Sequence, residues 1–439
     1  MVTWTGEAET GFPFWWEALK DTPDPDDTPL PEAAVDLLVI GAGYTGLSAA
    51  LAARDCGASV AVVDAETPGI GASTRNGGMF GAHPRLSWLR LAARFGPDVA
   101  DALFAEAVPA QDFVRGLIDT HRIGCDFQQT GRIQLAWTQS HLKGQHRLAR
   151  DLRSKSPVRV RTLDRAALAG EITTERYFGG IIFEDHAALH PAKFHRGLWQ
   201  AALGAGAGVT ANAPVTALTR SGAGFTASTP KGPIKATKVI LATNGYTRSP
   251  FRWHMARIFP VPSFIIATEE LPSNLLGHLA PGRRMMVETR TRHSYFRLSP
   301  DGRRILFGGR ASLRDIPLDL AAKRQHTTMC EVWPELADAR LSHVWTGNTG
   351  YSFTHIPHVG EMDGLHYAMG FSGSGTVLAP YLGAKAAFRA LGDERGDTAY
   401  ARTPLKRHWL HPTRKPHFLR AADLWYRTWV DGWENRQRR

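Results

Sequence analysis

Residues 36–64, DLLVIGAGYTGLSAALAARDCGASVAVVD, decide the fold of this chain. Leu37, Leu38, Val39 and Ile40 form an apolar run of the length of a strand buried on both faces, and the run ends in Gly41, Gly43 and Gly46. A helix of small residues is predicted from about Leu47 to Arg54, Gly57 breaks it, and a second apolar run, Val60 to Val63, closes on Asp64. A bare GxGxxG would say little, but strand, glycine turn, helix, second strand and terminal acid together make a dinucleotide-binding unit. Gly41 allows the tight turn, Gly43 lets backbone amides approach a pyrophosphate, and Gly46 lets helix and strand pack closely. Tyr44 and Thr45 complete the turn at the positive end of the helix. Asp64, twenty-one residues beyond Gly43 and followed by Ala65, is placed to accept hydrogen bonds from a ribose.

A chain of 439 residues is long for one core and suits two domains, and its 43% apolar content is ordinary for a globular protein. Cys56, Cys125 and Cys330 are far apart, form no metal-ligand spacing and suggest a reducing compartment. Glu7 and Glu9 sit near the start without a basic segment leading into an apolar one, so no secretory signal is read and a cytoplasmic location is expected. No uncharged apolar segment reaches the ~18 residues of a membrane span. The net charge of +11 is scattered in pairs such as Arg283-Arg284 and Arg303-Arg304, which suits a solvated surface steering anionic ligands better than a nucleic-acid footprint. There is no HExxH and no paired-cysteine site, so no metal is expected.

In chain order, residues 1–33 read as an extended leader anchored by Phe12, Phe14, Trp15 and Trp16. Residues 34–84, 151–249 and 336–402 are assigned to a discontinuous nucleotide domain, and 85–150 with 250–335 to an antiparallel-sheet domain with helices. The fold class is α/β, a Rossmann-like domain with an α+β second domain. After Asp64 comes a loop with five glycines between 69 and 81 that holds Ala72, Ser73, Thr74, Arg75, Asn76, Gly77, Gly78 and Met79. Its amides, hydroxyls and guanidinium suit a phosphate and close passage along a flat ring, although a surface turn has the same composition. LHPAKFHRGLWQAAL (189–203) is a helix with Pro191 in its first turn and Gly204 at its end, and His190 and His195 are expected to be structural. Asp301-Gly302 marks a hairpin turn in YFRLSPDGRRILFGG. Within the terminal segment 403–439, Trp425, Trp429 and Trp433, spaced by four, fall on one side of a helix that either lies on a membrane surface or docks on the body, against the leader aromatics.

The nucleotide unit followed by GASTRNGG (71–78) resembles the amino-terminal signature of FAD-dependent amine and amino-acid oxidoreductases, the D-amino-acid oxidase, glycine oxidase and sarcosine oxidase group. The gamma-glutamylputrescine oxidoreductases, whose second motif typically reads GASGRNGG, are the most similar subgroup. GRIQLA (131–136), LHPAKFHRGLWQAA (189–202), VILATNGY (239–246), YFRLSPDGRRILFGG (295–309) and GFSGSGTVLAPYLGAKAA (370–387) extend the likeness over most of the chain. The resemblance implies FAD, with Val215 near the adenine, Ala242, Thr243 and Asn244 beside the cofactor, and Tyr246 pointing toward the second domain. Gly373, Ser374, Gly375 and Thr376 open a helix whose amino terminus suits the negative charge of a reduced flavin. The group usually has histidine where Ser374 stands. Arg75 occupies the position that is histidine in covalently flavinylated relatives, so noncovalent FAD is expected.

The implied substrate is a small amine or amino acid oxidised at a C–N bond by hydride transfer, a reaction that needs no obligatory side-chain acid or base, and no catalytic residue is assigned. Arg297 with Tyr295 is the first candidate for holding a substrate carboxylate, although a surface arginine on an alternating strand reads the same way. Trp345, Tyr351 and Tyr246 are further pocket candidates. O2 is the expected electron acceptor. Sarcosine oxidases place a lysine over the flavin where this chain has Leu306 and Phe307, which leaves open a dehydrogenase with a quinone or protein acceptor. A flavin-binding protein without amine turnover is the reading from another class.

Overall fold

The computed structural model describes residues 2–411 and 415–437. The strands Val35–Ile40 and Val60–Val63 lie side by side and parallel, joined by the helix Tyr44–Asp55. The helix starts three residues before the expected Leu47, because Gly43 already takes the extended cap conformation and leaves Tyr44 free to turn. Its side chains are mostly alanine-sized and almost all buried, so it can lie close to both the sheet and a second helix, Gly375–Leu391. A Cβ on Gly383 of that second helix would sit 2.1 Å from the Thr45 carbonyl oxygen, so the close crossing requires glycine there.

Among the described residues, the nucleotide-type sheet runs Ala217–Ser221, Gly224–Thr229, Gly232–Leu241, Val35–Ile40, Val60–Val63, Gly208–Thr210. Gly232–Leu241 does two jobs: its first half closes a hairpin, and its second half runs parallel to Val35–Ile40 and to Leu365–Met369. Continuous runs of Val, Ile and Leu are what a parallel sheet covered on both faces demands.

The second sheet runs Trp4–Thr10, Leu341–Ser352, Ile258–Thr268, Ile305–Gly309, Ser294–Leu298, Met285–Glu288, Arg132–Leu135, Gly180–Phe183, Val160–Leu163. The hairpin around Asp301-Gly302 is present, with Gly302 at φ +72°. Three segments lie elsewhere than their sequence assignment. Val160–Leu163, Gly180–Phe183 and Leu341–Ser352, placed by the sequence in the nucleotide domain, are strands of this larger sheet. The leader supplies its edge strand, Trp4–Thr10, parallel to Leu341–Ser352. These pairings are nonlocal, so a segment's own sequence does not say which sheet will take it.

His190 caps the helix Pro191–Gly204 by accepting the Lys193 amide on Nδ1, and His195 donates from Nε2 to the Ala42 carbonyl at 2.8 Å. Both are structural, as expected. The terminal helix runs from Phe418 to Arg436 through a wider π-type turn at Tyr426–Val430. It docks on the 291–313 region and not on the leader aromatics. Asp423 accepts the Leu313 amide at 2.8 Å, Glu434 accepts from Thr291 Oγ1 at 2.7 Å, and Arg292 pairs with Asp431. Trp425, Trp429 and Trp433 remain 56%, 62% and 55% exposed, the first two stacked on each other. No described helix is long and apolar enough to cross a membrane.

Candidate functional site

A continuous cavity of about 750 Å³ runs from the glycine turn after Val35–Ile40 to the face of the larger sheet. At its first end the turn and the 69–81 loop make a tight cradle. Tyr44 donates its amide to Ser73 Oγ at 3.0 Å, and a Cβ on Gly43 would come within 2.8 Å of that same oxygen. A Cβ on Gly46 would lie 1.8 Å from the Gly41 carbonyl oxygen, so the strand-to-helix packing admits only glycine. The Asp64 carboxylate accepts the amides of Ala42 at 2.8 Å and Glu66 at 3.1 Å, which fix its direction at the end of Val60–Val63. Burial raises its pKa, and those amides oppose the rise.

Of the sequence-derived cofactor residues, Gly41, Gly43, Tyr44, Thr45, Asp64, Ala65, Ala72, Ser73, Arg75, Asn76, Gly77, Met79, Val215, Ala242, Thr243, Asn244, Gly373, Ser374, Gly375 and Thr376 all line the cavity. The amino termini of Tyr44–Asp55 and Gly375–Leu391 both open onto it, neither closed by a side-chain cap. Such a cavity, with a close-approach glycine, an oriented acid and two helix amino termini, fits an extended dinucleotide.

Gly46, Thr74 and Gly78 do not line it. Thr74 donates to the Gly69 carbonyl and accepts from the Trp16 indole, so its hydroxyl holds the loop together. Gly78, at φ +68°, lies where a Cβ would strike the Leu189 carbonyl at 2.2 Å. Arg75 reaches the cavity wall, but its guanidinium donates to the carbonyls of Ile70 and Thr346 and lies over Trp16, so it clamps the loop instead of offering itself to phosphate.

At the far end, Tyr246, Tyr295 and Tyr351 line the cavity, whereas Arg297 and Trp345 do not. Arg297 is buried, with Nε donating to the Leu298 carbonyl at 3.0 Å and Nη1 to the Leu189 carbonyl at 3.0 Å. Trp345 is fully buried and donates to the Arg75 carbonyl at 3.0 Å. The alternation that puts Tyr295 on the cavity face gives Arg297 the same face, but a neighbouring backbone intercepts it.

Among the cationic groups that line the cavity, Arg248, Arg290 and Arg292 are paired with Glu66, Glu288 and Asp431, whereas Arg85, Arg132 and Arg310, with His83, His293 and His355, have no carboxylate partner among the described residues and carry no motif that marks them in the sequence. Arg85 donates to the Tyr351 hydroxyl at 3.1 Å, and Arg310 hydrogen-bonds the same oxygen with its guanidinium 4.9 Å from the ring centroid. Burial works against ionising this phenol, but the two guanidiniums outweigh it and hold its pKa below the ordinary value. Arg132 meets the His83 ring at 3.0 Å, and its buried Nε has no hydrogen-bond partner. Burial, then the charge of Arg85, pushes Arg132 down to about 9. His83 and His293 are held neutral by burial and then by the surrounding arginines. One signal was available: Arg132 and Gln134 alternate along Arg132–Leu135, and both reach the cavity.

A family model described as FAD dependent oxidoreductase (DAO) matches residues 36–389. The chain is 32% identical over 405 residues to a probable oxidoreductase OrdL of Rhizobium meliloti, covering 89% of this chain and 91% of that one. It is 27% identical over 382 residues to the gamma-glutamylputrescine oxidoreductase of Escherichia coli, covering 87% and 89%. Its fold is similar to that of glycine oxidase from Geobacillus kaustophilus, with a TM-score of 0.70 at 19% identity over 86% of this chain and 99% of that one.

Proposed function

This chain belongs to the FAD dependent oxidoreductase family, DAO, and from that premise we propose that it oxidises a C–N bond of a gamma-glutamylputrescine-like amine or an N-alkyl amino acid, with O2 as acceptor and H2O2 as product. The coarser statement, an FAD-dependent oxidoreductase acting on amines or amino acids, stands on the family itself. The observation that carries the finer reading is the single cavity that joins the dinucleotide cradle to a wall of arginine and tyrosine.

FAD held there would supply a two-electron oxidant, a hydride acceptor for the carbon that bears the amine, and water would hydrolyse the resulting imine. Gly43, Tyr44, Thr45 and Ser73 would hold its pyrophosphate, Asp64 a ribose, Val215 the adenine end, and Gly373 to Thr376 the ring end. No covalent link is proposed, since Arg75 stands at the position where flavinylated relatives carry histidine. The chain's other residues bind and orient: Arg85, Arg310 and the Tyr351 hydroxyl form a receptor for a carboxylate. Their positive field also favours the unprotonated amine, the form that can lose hydride.

Anaerobic titration of the purified holoenzyme with polyamines, gamma-glutamyl polyamines and N-methyl amino acids tests this reading. Bleaching of the flavin spectrum by one of them, with rapid recolouring in air, is the expected result. A yellow protein that no amine bleaches overturns it.

One observation favours a second reading, transfer to a membrane quinone. Tyr426 lines the cavity from the helix whose outer side exposes Trp425, Trp429 and Trp433. Around them the exposed charges of the helix are Arg420, Arg427 and Arg436, while Asp423 and Glu434 are buried. An amphipathic helix with aromatic and cationic residues outward suits an anionic membrane surface. Co-flotation with anionic phospholipid vesicles, abolished in Trp425→Ser/Trp429→Ser/Trp433→Ser, combined with slow recolouring in air, would favour the quinone. Fast recolouring without flotation would exclude it.

A further inference from the structure

Arg85, Arg132 and Arg310 present three guanidiniums to one end of the cavity, and the described carboxylates that line it are committed elsewhere. Asp64 is held by the amides of Ala42 and Glu66 at the opposite end, Glu66 pairs with Arg248 at 3.4 Å, and Glu288 accepts from Arg290 and Tyr177. The partners of the three arginines are instead neutral: the Tyr351 hydroxyl, the Ser372 carbonyl and the His83 ring. His293 lies in the field of all three and is held neutral. Arg85 is exposed and solvated, but Arg132 and Arg310 are half-buried with no carboxylate partner among the described residues, which is costly, and Arg132 additionally leaves Nε without a hydrogen-bond partner. A charge cluster of this kind is a receptor waiting for anions.

The count of charges sets the ligand. A substrate with one carboxylate and a neutral amine carries one negative charge, which balances Arg310 beside the solvated Arg85 and leaves the half-buried Arg132 unbalanced. A phosphate of the dinucleotide does not supply the deficit, because the amides and Ser73 hydroxyl suited to it lie on the glycine turn and the 69–81 loop at the other end.

Resting on the proposed amine oxidation, we infer that the substrate is a dicarboxylic amine, one carboxylate received where Arg85 and Arg310 meet on Tyr351 and the other at Arg132 beside His83. The amine then lies between two fixed anionic ends, which orient its C–H bond and give a specificity that apolar contacts could not provide. Of the two substrate classes proposed above this selects the N-alkyl amino acid, because a gamma-glutamyl polyamine has one carboxylate and a free cationic end that the same field repels.

The test separates this inference from the reading beneath it. Calorimetric titration of the holoenzyme with glutarate and with butyrate, neither of which carries an amine, reads the charge requirement alone. Glutarate should bind on the order of ten-fold or more tightly, as a second charge-assisted contact predicts. Arg132→Gln should bring the two ligands to within about two-fold while sparing butyrate binding, since only one carboxylate contact is removed. Anaerobic bleaching by N-(carboxymethyl)glycine should then exceed that by N-methylglycine at equal concentration. Equal affinity for glutarate and butyrate, or equal bleaching by the two amines, overturns the dicarboxylate inference and leaves amine oxidation standing. Tight glutarate binding with no bleaching by any amine retains the anion receptor and overturns the oxidation on which its substrate role rests.

Discussion

Trp15 in the leader donates its indole N–H to the Asn76 carbonyl at 2.8 Å, sixty-one residues away in sequence. Its neighbour Trp16 does the same to Thr74 Oγ1 at 2.9 Å, and Trp345 to the Arg75 carbonyl at 3.0 Å. Three indoles from two distant segments therefore hold three successive residues of the 69–81 loop, and the loop's cavity face is shaped from behind. Trp15→Phe should remove the hydrogen bond and cost about 1–3 kcal/mol; Trp15→Ala, which also empties a buried site, should cost about 3–5 kcal/mol. Both should weaken flavin retention. Urea unfolding and the flavin released on gel filtration measure the two effects, and a Trp15→Phe protein that keeps its flavin like the parent would disprove the coupling.

Gly46→Ala and Gly43→Ala should behave differently, because their obstacles differ. At Gly46 the added Cβ meets backbone at 1.8 Å, and at Gly43 it meets the Ser73 hydroxyl at 2.8 Å. The first has nothing to yield and should fail to accumulate as folded protein. The second can be relieved by a rotation of Ser73 that gives up the Tyr44 amide, so the chain should fold with weaker FAD affinity. Circular dichroism with flavin reconstitution distinguishes the two, and a stable, yellow Gly46→Ala protein would contradict the packing argument.

Arg297→Met should lower stability without changing substrate affinity. Its guanidinium binds the carbonyls of Leu189 and Leu298, and removing it leaves buried acceptors unmet at a cost of about 1–3 kcal/mol each. Arg310→Met should do the reverse, raising the substrate dissociation constant with little change in the unfolding midpoint. Measuring both quantities in both variants decides; a large affinity loss confined to Arg297→Met would return that residue to the pocket.

Stability should fall as the solution is acidified from about pH 6.5 toward 4. Burial is the first cause that holds His190, His195, His254, His355 and His358 at about 4 in the folded chain, against 6.5 for an exposed imidazole. Between those values the unfolded chain binds more protons, so protonation draws the equilibrium toward unfolding, by about 1.4 kcal/mol per pH unit for each proton of difference. Urea midpoints from pH 7.5 to 5 should show the decline. His358→Gln, which removes one titrating ring, should flatten it by part of one proton, and an unchanged slope would acquit that residue.

Much of the nucleotide half was legible because it is local. Strand, glycine turn, helix and acid lie within Asp36 to Asp64, and each is dictated by backbone geometry or by burial over a few residues. The close approach at Gly46 and the direction of Asp64 follow from that short stretch, and the capping of Pro191–Gly204 by His190 is just as local, spanning three residues. The turn at Asp301-Gly302 is equally local, since it depends on one residue at positive φ.

The substrate end was not legible, for a physical reason that two arginines display. Arg297 and Arg310 both belong to the Asp301-Gly302 hairpin or its immediate edge, and sequence alternation permits either to face the cavity. Leu189, brought in by a segment more than a hundred residues earlier, intercepts Arg297, while Tyr351, from another strand, receives Arg310. The sequence by itself determined the dinucleotide unit and the family resemblance, because those rest on short-range geometry. Which cations reach the cavity, and which sheet claims Val160–Leu163 and Leu341–Ser352, was decided only by tertiary pairing, because a strand carries its alternation in its own sequence but finds its neighbours in distant ones.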